Sequence, residues 1–165
     1  MPEASASTQQ QPEKIYSSCE TNQDQRTHQM PITLQNCEAP ISTLEYDEFT
    51  KTIGRAPSEY FRNFYITNNG GTLDDSTAES NAFLLNSFLS IKNGETTIED
   101  TYKQLIKGEP ELINLVPFAY DDCGNIFVLS ARNRDFGLIY LWLADERDLV
   151  FLSSSFEEFL AQLEQ

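Results

Sequence analysis

Three pairs of neighbouring carboxylates, Asp74-Asp75, Asp121-Asp122 and Asp145-Glu146, are the groups best suited to chemistry in this 165-residue chain. Two such groups held close together can divide the work of a general acid and a general base, or can hold a hard cation. Each pair sits among turn-forming residues, however, where Asp ordinarily accepts hydrogen bonds from its own loop. None follows the D-x-[DN]-x-[DN]-G spacing of a calcium-binding loop.

Other catalytic raw material is sparse. The one histidine, His28, falls in a Gln-, Ser- and Thr-rich stretch with nothing to hold it against a nucleophile or a metal. Cys19, Cys37 and Cys123 are odd in number, far apart and without a C-x-x-C spacing, so neither a disulfide framework nor a zinc site is indicated. Gly70-Gly71 is followed by Thr72-Leu73-Asp74 and lacks the Lys of a phosphate-binding loop. The chain therefore reads as one that acts by binding, with no catalytic residues, no cofactor and no metal.

Collectively the acids carry more weight. Against 11 Lys and Arg stand 26 Asp and Glu, a net charge of -15 that repels phosphate backbones and attracts basic surfaces. Nucleic acid is excluded as a partner on this ground, and a basic protein is favoured. Residues 1–30 contribute only four acids and two bases, so the charge belongs to the remainder. Asp74, Asp75, Glu79, Asp121, Asp122, Asp145, Glu146 and Asp148 are the expected partner contacts, chosen by charge and loop position. The competing reading is a general solvating charge with no partner.

These loops need elements to carry them. Residues 1–30 are too polar to offset the entropy of ordering and are expected to form a mobile tail, with a single domain over residues 31–165. Ile32 and Leu34 alternate with polar residues as in a short strand. Ser42-Thr43-Leu44-Glu45 has the capping-box pattern, and Ile41, Leu44, Phe49 and Ile53 then define one helical face ending at Gly54. Pro57 suits the first turn of a second helix with Tyr60, Phe61, Phe64 and Tyr65 as an inward stripe, stopped at Asn68-Asn69-Gly70-Gly71. Residues 83–91 read as one or two strand pieces. A third helix starts near Thr97, buries Ile98, Tyr102, Leu105 and Ile106, and ends at Gly108 and Pro110.

From there strands are predicted over residues 112–120, 126–131, 138–143 and 149–152, joined by short turns and hence antiparallel. The run Leu138 to Leu143 is apolar on both alternate faces, which predicts a central strand. Tyr140 and Trp142 share one of those faces, as core residues or as the floor of a groove. Ser155-Phe156-Glu157-Glu158 opens a final helix with Phe156, Phe159, Leu160 and Leu163 inward. The fold class is α+β, a mainly antiparallel sheet flanked by N-terminal helices and a C-terminal helix.

In order, Ile53-Gly54, Ala56-Pro57-Ser58-Glu59-Tyr60, Asn69-Gly70-Gly71, Val116-Pro117-Phe118-Ala119-Tyr120-Asp121, the Gly124-Asn125 turn, Ile139-Tyr140-Leu141-Trp142 and Ser155-Phe156-Glu157-Glu158-Phe159-Leu160 resemble the SUKH superfamily across residues 41–163. The resemblance implies an immunity protein of a bacterial polymorphic or contact-dependent toxin system, or an intracellular scaffold or regulatory module like its fungal members. In the first case a noncatalytic domain covers a cognate toxin domain, often a nuclease. No basic leader and no long apolar run precede or interrupt the domain, so a cytoplasmic, membrane-free protein is expected, its oligomeric state open with a monomer favoured.

Overall fold

The computed structural model describes residues 32–164; the expected tail, with His28 and Cys19, lies outside them. The elements run β1 (Leu34–Gln35), α1 (Thr43–Ile53), α2 (Glu59–Thr67), β2 (Gly71–Leu73), α3 (Asp75–Ser80), β3 (Leu85–Phe88), α4 (Ile98–Gly108), β4 (Leu115–Asp121), β5 (Ile126–Ser130), β6 (Ile139–Leu143), β7 (Asp148–Ser153) and α5 (Phe156–Leu163). The seven strands form one sheet in sequence order, every neighbour antiparallel. The architecture is α+β.

Local signals explain the helix ends. Ser42 Oγ accepts from the Glu45 amide at 3.2 Å while the Glu45 carboxylate accepts from the Ser42 amide at 2.8 Å, a closed capping box. Gly54, at φ 84°, ends α1 in the left-handed conformation. The buried face of α1 is Tyr46, Phe49 and Ile53. Leu44, expected on that face, is instead 66 % exposed, because two residues from Tyr46 it projects from nearly the opposite side of the helix. Pro57 precedes the cap residue Ser58 and lies just outside α2 rather than in its first turn. At α5, Ser155 caps the Glu158 amide at 3.0 Å, but the Glu158 carboxylate reaches back to the Ser154 amide, one residue beyond the usual box.

Two apolar layers hold the sheet. On one face Phe118, Phe127, Leu129 and Ile139 pack with Phe61 and Phe64 of α2 and with Phe156 and Phe159 of α5. On the other, Leu115, Val128 and Trp142 pack with Leu105 of α4 and with Leu112. This second layer explains why the run Leu138 to Leu143 is apolar on both faces. It lies second from the edge, not at the centre, and its two faces meet different helices. The expected start of β4 at residue 112 is also corrected, since Leu112 closes a 3-10 turn and pairing begins at Leu115.

Asn69 ties the N-terminal half together. Its buried amide donates to the Ala39 and Ile91 carbonyls at 2.8 and 3.0 Å, and its carbonyl oxygen accepts from the Ile91 amide at 2.7 Å. Beside it, an added Cβ on Gly71 would lie 2.4 Å from the Gln35 carbonyl, so only glycine allows β1 to pair there. Asn69→Ala strands three backbone groups and is expected to lower the unfolding free energy by about 1.5 kcal/mol, read as a lower urea midpoint with an unchanged m-value.

Candidate functional site

Register decides where the acids go. Leu85 pairs with Asp121, Tyr120 with Ile126, Ile126 with Trp142, and Trp142 with Leu149. The ends of β2, β4 and β6 and the starts of β3, β5 and β7 therefore share one end of the sheet. The connections at that end are residues 74–84, 122–125 and 144–147, and with the strand termini Asp121 and Asp148 they carry all eight carboxylates singled out by sequence. Arg147 is the only base among them.

The eight are not equivalent. Asp74 caps α3, accepting from the Ser76 and Thr77 amides at 3.1 and 3.2 Å and from both hydroxyls, and these bonds hold its carboxyl below the usual range. Asp121 accepts from the Cys123 and Asn125 amides, each at 2.9 Å, and from the Asn125 side chain. Asp122 accepts from Asn86 across the β3–β4 junction, and Asp148 from the next amide, Leu149. These four shape their own loops. Asp75, Glu79, Asp145 and Glu146 are exposed, and their carboxylates make no hydrogen bond or ion pair with described residues. Among the described residues, no three acidic, cysteine or histidine side chains converge as a metal site.

Glu109 and Glu111 join this end, which sequence spacing could not suggest. Arg147 pairs with Glu109 and reaches Glu111 at 3.7 Å, linking the β6–β7 turn to the far end of α4. The sole base of the three loops is thereby neutralised. Glu111, close to its own backbone amide, is held below the usual carboxylate range.

At the opposite end, a polar network secures the β5–β6 connection, read from sequence as a plain turn. Asp135 accepts from Ser130, from Arg132 Nε at 3.1 Å and a terminal Arg132 nitrogen, and from the Tyr140 hydroxyl at 2.9 Å. Arg55 donates to Asn133 at 2.8 Å and stacks 3.9 Å above the Phe136 ring. The face shared by Tyr140 and Trp142 is mixed: Trp142 is buried under α4, while Tyr140 is half-buried between Asp135 and Phe151.

No helix among the described residues is long and apolar enough to cross a membrane. The SMI1 / KNR4 family (SUKH-1) model matches residues 40–162, from just before α1 into the last turn of α5. No curated protein matches the chain.

Proposed function

Because the chain belongs to the SMI1 / KNR4 family (SUKH-1), we propose that it is an immunity protein whose acidic sheet end covers a basic surface of a cognate toxin domain. It neutralises that domain by occupancy and not by catalysis, as a single cytoplasmic binding domain over residues 31–165. A nuclease suits the role, since it must carry Lys and Arg to hold phosphates. The observation that carries the reading is the register that brings three acid-bearing connections to one end of the sheet while Arg147 is cancelled by Glu109 and Glu111. A surface of one sign raises the association rate of a basic partner, and salt screens it.

The test is association of the full chain with the toxin domain encoded beside its gene, followed by stopped-flow fluorescence. Asp75→Asn, Glu79→Gln, Asp145→Asn and Glu146→Gln combined remove four charges without touching a cap or turn bond. The association rate is expected to fall by about tenfold at low salt, with a flatter salt dependence. Absence of binding, or a rate indifferent to the four substitutions, would refute the proposal.

A further inference from the structure

Register aligns one row of side chains across five strands. Thr72 faces Ser87, Ser87 faces Tyr120, Tyr120 faces Ile126, and Ile126 faces Trp142, so all five project from the face of the sheet that carries α4. Leu105 of α4 packs against the buried Trp142, but Thr72, Ser87, Tyr120 and Ile126 are only half-buried. The uncovered row floors a trough beside α4. Three cavities of about 250, 320 and 300 Å³ follow one another along it. The first shares Leu89, Thr96 and Tyr120 with the second, and the second shares Thr101, Gln104 and Ile126 with the third. Four strand spacings make the row about 19 Å long, the span of about six extended residues.

Charge in the trough is of one sign. Its charged lining residues are Glu38, Glu95 and Glu109, and no Lys or Arg lines any of the three cavities. Glu109 is held by Arg147, whereas the exposed Glu38 and Glu95 carboxylates make no hydrogen bond or ion pair with described residues. The cavity between α4 and α1 differs, because there Lys92 and Lys103 stand among four acids. Gly124 and Ala144 line the trough and belong to two of the acid-bearing connections, so it is continuous with the acidic sheet end.

We propose that the trough is a second contact surface for the toxin domain and takes an extended basic segment of it, about six residues long, with apolar residues between its Lys or Arg. The inference rests on the toxin-binding reading and adds the kind of segment recognised and the place where it lies. Glu38 and Glu95 meet the basic side chains, and Leu89, Tyr120 and Ile126 meet the apolar ones and the stems of the basic ones. Acids at the sheet end act at long range and set the association rate. Close contacts within the trough hold the segment and set the dissociation rate.

Stopped-flow dissociation of the full chain from the toxin domain encoded beside its gene tests this. Glu38→Lys combined with Glu95→Lys reverses the charge at one end, and Gln104→Arg puts bulk and a like charge at the middle. All three positions are exposed, and circular dichroism confirms that the variants fold. Each variant is expected to raise the dissociation rate by about tenfold or more, whereas the four sheet-end substitutions act mainly on association. In the wild-type complex the amide resonances of Thr72, Ser87 and Thr96, remote from the three acidic connections in sequence or strand order, should shift. A toxin domain that binds but dissociates from both variants at the wild-type rate overturns the trough and leaves the sheet-end reading standing. So does a complex in which those three resonances do not move. Absence of any binding overturns both.

Discussion

Phe118→Ala is expected to lower the unfolding free energy by about 3–5 kcal/mol, a large share of the ~5–15 kcal/mol typical of a domain. Phe118 is fully buried, and its ring contacts those of Phe61, Phe88, Phe127, Phe156 and Phe159, joining strands β3 to β5 with α2 and α5. It sits where the β4–β5 register shifts between Pro117 and Ala119, an extra residue of the kind that re-aims a side chain. Its carbonyl also accepts from the Leu89 amide at 2.8 Å and the Tyr65 hydroxyl at 3.1 Å. Removing the ring leaves a cavity between two helices and three strands that cannot all close in. Urea denaturation followed by circular dichroism measures the loss, and Tyr65→Phe, which removes only the hydroxyl bond, should lose about 1 kcal/mol.

The second large effect depends on pH. Burial works to raise the Asp135 pKa, but hydrogen bonds from Arg132, Ser130 and Tyr140 outweigh it and lower the value from 3.8 to about 2. The side chains of Arg132 and Asp135 are only 14 % and 11 % exposed, so solvent screens the pair little. A carboxylate with a lower pKa folded than unfolded stabilises the native state above the unfolded value. That contribution is lost as the pH falls from about 4 through 2. Asp135→Asn is therefore expected to destabilise by about 2.5 kcal/mol at neutral pH, with the difference from wild type shrinking across that window. Urea midpoints of both proteins between pH 7 and 2 provide the measurement, and a constant difference down to pH 2 would show that packing, not ionisation, is responsible.

Capped and periodic segments were readable from composition and spacing. The Ser42–Glu45 box, the glycine end of α1, the aromatic stripe of α2 and the inward residues of α5 all follow from side-chain chemistry acting within a few residues. Two elements were silent for a physical reason. Helix α3 buries none of its residues, so no apolar period marks it, and β2 is three residues long and begins on a glycine. Trp142 and Tyr140 misled by a different route, because apolar character on both faces records contact with two helices and says nothing of rank within the sheet. The acidic residues themselves could be picked by loop position. Their arrival at one end could not, because it depends on the Leu85–Asp121 pairing across the long α4 connection. The engagement of Arg147 by Glu109 and Glu111 depends on that same α4 connection and had no sequence signal.

Trp142 is the only tryptophan in the chain, and it lies in the smaller layer beneath Leu105 rather than among the phenylalanines of the larger one. Tryptophan emission consequently reports on that smaller layer. If α4 lifts from the sheet while the larger core survives, the emission will shift to the red as water reaches the indole, with little change in far-ultraviolet ellipticity. Comparing the two signals during denaturation would reveal whether the layers melt as one unit or in succession.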